Sequence, residues 1–230
     1  MSNQFERSAL LLGKDAQQIL AQKCVAVIGV GGVGSFCAEA LARSGVGKLI
    51  LVDADTIEGS NINRQLPATN ETIDQQKTEV MKERILSINS SCEVISYPHW
   101  YSAKFNEILF SDKIDYVLDA IDDIPAKKDL ILACIEREIP FISCMGMARR
   151  KDPQALILTE LEKTSYDPMA KILRQWKRKE RISHKIPVVC SKEVPIPHQT
   201  GTPLPSLIFV PASAGLFMGS CCLQDLIKKK

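Results

Sequence analysis

Short apolar runs alternate with amphipathic stretches through the first 150 residues of the chain. The runs are rich in Val, Ile and Leu, as strands buried in a parallel sheet are, and they occupy residues 24–28, 48–53, 92–97, 115–119 and 139–144. The stretches between them carry apolar residues at helical spacing, and residues 4–20 predict one or two further helices before the first strand. This alternation predicts a Rossmann-like α/β fold with a doubly wound, mostly parallel sheet.

The pattern loosens in the last third of the chain. A strand is predicted at 156–161, and an amphipathic basic helix that runs into a loop is predicted within 167–185. Six prolines fall within residues 187–211, which indicates a long irregular crossover. The apolar stretch 207–223 contains proline and glycine and is shorter than the roughly 20 residues of a membrane span. We therefore expect a buried strand, turn and helix there.

A glycine-rich turn joins the first predicted strand to its helix. The sequence GVGGVG contains Gly29, Gly31, Gly32 and Gly34. Glycines let the backbone turn sharply and approach a phosphate, and the following helix offers unpaired N–H groups at its positive end. Asp53 lies about 20 residues further on, where a Rossmann fold places the carboxylate that accepts hydrogen bonds from ribose hydroxyls. To this point, a Rossmann turn that holds NAD or FAD is the favoured explanation of the pattern.

The residues after the second strand favour ATP. A long polar connection begins at Asp55 and contains Asn61 and Arg64, and Lys77 stands in the first turn of the next predicted helix. The phosphates of a dinucleotide are served by backbone N–H groups, whereas a triphosphate carries more negative charge and needs fixed cations. This constellation therefore indicates ATP rather than NAD.

An acidic cluster follows the fourth predicted strand. Asp122 is expected at the same edge as the glycine turn, because the carboxyl ends of parallel strands gather at the ligand crevice. A carboxylate beside a triphosphate is a natural ligand for Mg²⁺. Capping of the next helix is the alternative role for Asp119, Asp122 and Asp123, and it is the simpler explanation for Asp123.

Composition and charge narrow the class of protein. The chain has 230 residues, 45% of them hydrophobic and 24% charged, which suffices for one large domain. Its eight cysteines form no CxxC pair and lie mostly in apolar runs, which predicts reduced thiols in a cytoplasmic protein and no structural zinc. Residues 1–140 carry 14 Lys or Arg and 20 Asp or Glu, whereas residues 141–230 carry 15 and 7. The basic part suits a polyanionic partner, and a solvated helix face is an equally good explanation.

These features together predict a single domain over residues 1–230. Residues 1–150 would form the nucleotide-binding core, and residues 151–230 would form a basic, Pro-rich extension that binds substrate and closes the fold. The N-terminus lacks the basic and then apolar pattern of a signal peptide, so we expect no membrane partner.

Five spaced motifs resemble those of one enzyme superfamily. GVGGVG, DAD at 53–55, NINRQ at 61–65, Lys77 and DAID at 119–122 follow one another as in the ubiquitin-activating-enzyme-like, ThiF- and MoeB-type ATP-dependent adenylyltransferases. Within that superfamily, the chain resembles the tRNA threonylcarbamoyladenosine dehydratases. That likeness covers nearly the whole chain, including FERSALLLGKDA near its start and FVPASAGLFMG near its end.

The resemblance implies a reaction and a set of roles. The enzyme would use ATP to activate the threonyl carboxylate of threonylcarbamoyladenosine next to the tRNA anticodon, and a ring would then close with net loss of water. The implied nucleotide-site residues are Asp53 at the ribose, Asn61, Arg64 and Lys77 around the phosphates, Asp122 on Mg²⁺, and Asp55 with the four glycines lining the ATP. Arg7 would reach the nucleotide of the partner subunit in a homodimer. A monovalent cation near the ATP is also implied, without identifiable ligands.

The basic segment is expected to meet the phosphates of tRNA. Its cations are Lys171, Arg174, Lys177, Arg178, Lys179, Arg181 and Lys185, and the terminal residues Lys228, Lys229 and Lys230 would add to them.

Two other functions stay open on sequence grounds. The first is an adenylyltransferase for a ubiquitin-like sulfur-carrier protein, and the second is a nucleotide-sensing module without turnover. Members of the superfamily that activate carrier proteins often have paired CxxC motifs and an acceptor cysteine on a crossover. This chain has no CxxC, and the neighbours of Cys190 supply no base or helix N-terminus that would activate its thiol. We therefore interpret Cys190 as incidental.

Overall fold

A single sheet forms the centre of the protein. The computed structural model describes residues 4–228, so Lys229 and Lys230 lie outside the described residues. Within that range the strands are β1 (Cys24–Ile28), β2 (Lys48–Val52), β3 (Glu93–Tyr97), β4 (Tyr116–Asp119), β5 (Phe141–Cys144), β6 (Leu156–Glu160) and β7 (Pro187–Ser191). Their order is β3-β2-β1-β4-β5-β7-β6, and every pairing is parallel except that of β6 with β7. The predicted doubly wound, mostly parallel sheet is confirmed.

Helices cover both faces of this sheet. They are α1 (Glu6–Leu12), α2 (Lys14–Leu20), α3 (Gly34–Arg43), α4 (Lys77–Ile88), α5 (Asn106–Leu109), α6 (Ile124–Glu136), α7 (Pro168–Lys179) and α8 (Phe209–Ile227). Side chains alternate along the strands, so that Val25 and Val27 pack with α3, α4 and α8, while Ala26 and Ile28 pack with α5, α6 and α7. The strand order reverses between β1 and β4, and an open sheet of this kind binds its ligand at such a point.

A strand occupies the start of the segment predicted to be an irregular crossover. The sequence prediction for residues 187–211 is wrong over Pro187–Ser191, because these residues form β7, which pairs with both β5 and β6. Proline is tolerated as the first residue of a strand, where its missing N–H costs least. The run VVCS that follows is buried. The density of prolines further along concealed this short apolar run.

The closing segment is one helix rather than the strand, turn and helix expected for residues 207–223. Pro211 lies in the first turn of α8, where a helix needs no N–H from it. Gly215 allows close packing on α3, because an added Cβ there would lie 2.3 Å from the carbonyl oxygen of Val33. By length and composition, α8 is the one helix within residues 4–228 that could cross a bilayer. Its buried side chains belong to the core and include Val210, Ala214, Met218 and Cys222.

A buried ion pair holds β4, β5 and α6 together. The Nζ atom of Lys127 lies 2.8 Å from Oδ2 of Asp119, and both side chains are almost wholly excluded from solvent. The same Nζ donates to Ser143 Oγ at 3.1 Å and to the carbonyl oxygen of Cys144 at 3.0 Å. The three donors of the ammonium group are thus all engaged. A charge in this position is tolerated only because its partners are in place.

Replacing Lys127 by methionine should therefore destabilise the protein strongly. The ionised Asp119 would be left in the core without a counter-ion, and we expect a loss of about 3–5 kcal/mol in the free energy of unfolding. Urea unfolding followed by circular dichroism measures it. Lys128→Met is the matched control. Within residues 4–228, the contact described for this neighbouring lysine is the approach of its Nζ to the Trp176 ring at 6.0 Å, and its loss should cost about 1 kcal/mol or less. Equal losses in the two variants would contradict the interpretation.

Candidate active site

A cavity of about 870 Å³ opens at the carboxyl ends of β1, β2, β4 and β5. That volume lies in the range of small-molecule sites, about 300–1,000 Å³. The residues predicted from sequence that line it are Gly29, Gly31, Gly32, Asp53, Asp55, Asn61, Arg64, Lys77 and Asp122. Gly34 lies beneath the turn as the first residue of α3, and Arg7 lies exposed on α1, outside the lining. The structure thus places nine separately predicted residues around one cavity.

The glycine turn is shaped by two close backbone contacts. Gly29 has a φ of +88°, and an added Cβ would lie 2.7 Å from the carbonyl oxygen of Ala120. An added Cβ at Gly34 would lie 1.8 Å from the carbonyl oxygen of Gly29. Gly31 and Gly32 are less confined, with nearest neighbours at 3.7 Å and 3.3 Å. The outer glycines therefore form the turn, and the inner pair keeps the cavity floor free of side chains.

Asp53 ties the end of β2 to this turn. Its Oδ2 accepts a hydrogen bond from the N–H of Val30 at 2.6 Å, and its Oδ1 accepts one from the N–H of Asp55 at 2.9 Å. Burial raises the pKa of Asp53, and the Lys77 ammonium and the two N–H donors partly offset that effect. Each carboxylate oxygen keeps a lone pair after these bonds. Asp53 can therefore accept from a ligand hydroxyl without releasing the turn.

Lys77 presents a cation from the N-terminus of α4. Its Nζ lies 2.6 Å from Oδ2 of Asp55, and its backbone N–H donates to the carbonyl oxygen of Asp55 at 3.1 Å. The lysine is almost completely buried, whereas the Asp55 side chain is 43% exposed. An ammonium group has three donors, so it can hold Asp55 and an incoming phosphate oxygen together.

The loop after Asp55 orders itself through its own polar side chains. Asn61 Oδ1 accepts from the N–H of Glu58 at 3.1 Å. Arg64 Nη1 donates to the carbonyl oxygen of Ser60 and to Asn63 Oδ1, both at 2.9 Å. These contacts fix the guanidinium at the cavity wall. Asn61 therefore both shapes the loop and lines the cavity.

The acidic residues after β4 separate into different roles. Asp123 caps α6, since its Oδ1 accepts from the N–H of Ala126 at 2.8 Å, and the cap predicted for it is confirmed. Asp119 is the buried partner of Lys127. Asp122 is exposed and lines the cavity, and Asp123 lines it too while it caps the helix. Within the described range 4–228, no group of three or more His, Cys, Asp or Glu side chains could hold a metal ion. A magnesium ion bound here would take one carboxylate from the protein and its other ligands from phosphate and water, a donor set that Mg²⁺ accepts.

The far wall of the cavity was missed by sequence reasoning. It consists of residues 145–148 after β5, with Met169 of α7 and Leu204 and Ser206 of the crossover. The rule that strand carboxyl ends gather at the site could have identified 145–148. Trp100 was missed too; it follows β3 and lies 72% exposed at the cavity rim.

The cations of the basic segment divide into exposed and internally paired groups. Lys177 is buried and paired with Glu162, so it is not available to a partner. Arg174 donates to the carbonyl oxygen of Thr164 at 3.1 Å, and exposed Lys185 pairs with Glu160 at 2.8 Å. The other exposed cations of the predicted set are Lys171, Arg178, Lys179 and Arg181. The available charge is therefore smaller than the sequence indicated.

Cys190 is an inert thiol in this fold. It lies in the middle of β7 and is almost completely buried. Burial raises the pKa of its thiol, with the nearby Asp167 carboxylate acting in the same direction. Neither property suits a nucleophile.

Known proteins share both the sequence motifs and the fold of this chain. Residues 5–180 match the ThiF family. The chain belongs to the ThiF family. The match spans every motif from the glycine turn to Asp122, and it confirms the superfamily that those motifs indicated.

Two similar proteins extend the ThiF-family likeness to almost the whole chain. The tRNA threonylcarbamoyladenosine dehydratase of Bacillus subtilis (strain 168) is 43% identical, over 99% of this chain and 96% of that protein. A crystal structure of Escherichia coli TcdA, a tRNA N6-threonylcarbamoyladenosine dehydratase, in complex with ATP matches with a TM-score of 0.90 and 33% identity, over 97% of this chain and 93% of that one. In contrast, the sulfur carrier protein ThiS adenylyltransferase of Escherichia coli (strain K12) is 31% identical over 62% of this chain.

Gly34→Ala should disturb the glycine turn. Its Cβ would lie 1.8 Å from the Gly29 carbonyl oxygen, so the turn or α3 must shift. We expect the free energy of unfolding in urea to fall by about 1–3 kcal/mol. Gly59→Ala is the control, because nothing lies within 4 Å of an added Cβ there, and its effect should stay within about 0.5 kcal/mol. If Gly34→Ala proved as stable as the wild type, the turn would be more adaptable than its geometry indicates.

Proposed function

We propose that the protein is an ATP-dependent tRNA threonylcarbamoyladenosine dehydratase. The observation that carries the proposal is the single cavity in which the predicted glycines, acids and cations converge. This cavity lies in a chain whose likeness to the Bacillus subtilis dehydratase runs over nearly its full length.

The cavity supports one orientation of ATP. The phosphates would lie over the glycine turn within reach of Arg64 and Lys77, and the ribose hydroxyls would donate to Asp53. The segment after β3 lies beyond Asp53 on the side away from the turn, where the N–H of Asp53 donates to the Tyr97 carbonyl oxygen at 3.2 Å. The base would therefore extend toward Trp100 at the rim.

The chemistry proceeds in two displacements. A carboxylate oxygen of the substrate attacks the α-phosphorus, the bond to the bridging oxygen breaks, and pyrophosphate leaves. A carbamoyl oxygen or nitrogen then attacks the activated carboxyl carbon, the bond from that carbon to the AMP phosphate oxygen breaks, and a carbamoyl N–H proton is released to solvent as the ring closes and AMP leaves. Arg64 and Lys77 stabilise the charge that develops on the departing pyrophosphate. Mg²⁺, held by Asp122 and phosphate oxygens, would add to this neutralisation. No protein nucleophile is needed, which agrees with the inert Cys190.

We further propose that residues 151–230 bind the tRNA. Met169 lies in the first turn of α7 and lines the cavity. The exposed cations of α7 follow along the helix, away from the cavity. A tRNA backbone on this helix would bring the modified nucleoside to the far wall. Non-specific phosphate contacts of this kind weaken as salt rises.

We also propose a homodimer in the cytoplasm. Arg7 lies on α1 with Leu10 and Leu11, whose side chains are 82% and 85% exposed. Burying these leucines against a second subunit would remove apolar surface from water and could carry Arg7 toward the partner's nucleotide. A tRNA substrate suits the cytoplasm, as do eight cysteines that are all unpaired.

A direct assay tests the main proposal. Incubation with ATP and threonylcarbamoyl-modified tRNA should yield AMP and the cyclic nucleoside, measured together by mild nucleoside mass spectrometry. Asp122→Asn and Arg64→Ala should each lower AMP formation by about 100-fold or more. Asp74→Asn should not, because this exposed carboxylate lies outside the cavity lining.

Two outcomes would count against the dehydratase. AMP formation that required a small protein ending in Gly-Gly, and not tRNA, would favour a sulfur-carrier adenylyltransferase. ATP binding without AMP release in the presence of modified tRNA would indicate a nucleotide sensor. Near-normal turnover of Asp122→Asn and Arg64→Ala would show that the phosphate site is misplaced.

Removing single cations from α7 tests the tRNA surface. Lys171→Ala and Lys179→Ala should each reduce the slope of log affinity against log salt by about 1, as expected for one lost phosphate contact. ATP affinity without tRNA should stay unchanged. Lys113→Ala is the control, because this exposed lysine precedes β4 at the opposite end of the sheet. Slopes equal to that of the wild type in both α7 variants would place the tRNA on another surface.

A further inference from the structure

A second buried ion pair lies behind the far wall of the cavity. Nη2 of Arg150 is 3.1 Å from Oδ2 of Asp167, and the two side chains are only 1% and 0% exposed. Arg150 belongs to the loop after β5, and Asp167 is the N-cap residue of α7. Neither residue contributes to the nucleotide contacts described above. A charge pair withdrawn from water to this degree is costly unless its remaining donors and acceptors are satisfied.

The remaining groups of this pair converge on one residue of the cavity wall, Gly146, through the two peptide units on either side of its Cα. Arg150 Nε donates to the carbonyl oxygen of Gly146 at 3.0 Å, while the N–H of Gly146 donates to Asp167 Oδ2 at 3.0 Å. Gly146 lines the cavity. The pair therefore holds Gly146 through both its N–H and its carbonyl oxygen. A shift of either charged side chain would displace this part of the cavity wall.

The same pair extends to α7 and to the crossover. Asp167 Oδ1 accepts from the N–H of Ala170 at 2.9 Å and thereby caps the basic helix. Arg150 also donates to the backbone carbonyl oxygens of Tyr166 and Glu193. One guanidinium group thus joins the residue before the helix cap, the chain leaving β7 and the cavity wall.

Neighbouring contacts reinforce this junction. The Glu193 carboxylate accepts from the N–H groups of Lys151 and Asp152 at 2.9–3.0 Å. The N–H of Arg149 donates to the carbonyl oxygen of Pro205 at 2.8 Å, between the lining residues Leu204 and Ser206. The crossover is therefore attached to the same loop where it borders the cavity.

We propose that Arg150 and Asp167 are positioning residues that set the basic helix α7 in register with the far wall of the cavity. The inference rests on the proposed function, in which tRNA bound to α7 must place its threonyl carboxylate next to the α-phosphate of ATP. Reactions of this type are sensitive to alignment, and a displacement of about 1 Å costs on the order of 100-fold in rate. Arginine suits the role because its planar fork spans several acceptors, whereas lysine offers a single point charge.

Steady-state kinetics of Arg150→Lys separates positioning from binding. Lysine keeps the charge beside Asp167 but cannot reach Gly146, Tyr166 and Glu193 together. We expect kcat on modified tRNA to fall by about 10- to 100-fold, with the KM for tRNA and the calorimetric Kd for ATP within about threefold of the wild type. Arg149→Lys is the matched control and should leave kcat unchanged, because the contact described for Arg149 comes from its backbone.

A double variant without either charge controls for misfolding of Arg150→Lys. Arg150→Met/Asp167→Asn removes both charges, so neither is left alone in the interior, and asparagine can still cap α7. It should show the same low kcat with intact ATP affinity. If Arg150→Lys kept its kcat within twofold of the wild type, the positioning role would be refuted. A loss of ATP affinity as large as the loss in kcat would also refute it, since the pair would then support the nucleotide site.

Hydrogen exchange keeps this inference distinct from the proposed function. Arg150→Lys should speed amide exchange both in residues 145–148 and in the first turn of α7, while the glycine turn keeps its protection. If the wild type formed no AMP with modified tRNA, the dehydratase proposal would fail. The coupling between residues 145–148 and the first turn of α7 would still be tested by the exchange data alone. Faster exchange in only one of the two segments, or in neither, would overturn the coupling itself.

Discussion

The contact between Gly29 and Gly34 is the constraint on which the site depends. A helix can start directly over the end of β1 only if neither position carries a side chain, and the distances leave no room for one. Once α3 starts there, its positive N-terminus lies at the glycine turn, an arrangement that suits an anion. The Val30 N–H then meets the Asp53 carboxylate at 2.6 Å, which fixes β2 to the same turn. One steric requirement thereby sets the relative position of the glycine turn and Asp53, the proposed phosphate and ribose subsites.

Internal contacts hold the cations of the cavity in place. Lys77 is nearly buried, and Asp55 holds it at 2.6 Å, so the cation is ready before any phosphate arrives. Arg64 is anchored through a backbone carbonyl and Asn63 instead. Prepositioned cations need little rearrangement when charge develops on a leaving group, which is how a fixed electrostatic environment lowers a barrier.

Sequence patterns predicted the parts of this protein that depend on local periodicity. The apolar runs identified β1 to β6. Spacing after the glycine turn selected Asp53, and the cations that a triphosphate needs selected Arg64 and Lys77; all three line the cavity. These patterns did not identify β7, because a short apolar run among prolines resembles a loop and gains its identity from the two strands beside it. They also did not reveal that Lys177 is buried against Glu162, since helical spacing alone does not show which cations a neighbouring segment neutralises. The pairing of Arg150 with Asp167 joins two loops 17 residues apart and leaves no periodic signal.

Two buried ion pairs act on successive parts of the chain leaving β5. Lys127 donates to the Cys144 carbonyl oxygen at 3.0 Å, and Arg150 donates to that of Gly146 at the same distance. Apolar residues of similar volume would stabilise such interior positions as well as ion pairs do or better, so stability is a poor reason for either pair. What charged groups provide and apolar ones do not is directional contact with backbone oxygens. Two such contacts, at the end of β5 and at the start of the far wall, hold that wall in place relative to the glycine turn across the sheet. An enzyme whose substrate supplies its own nucleophile needs this alignment more than it needs a reactive side chain.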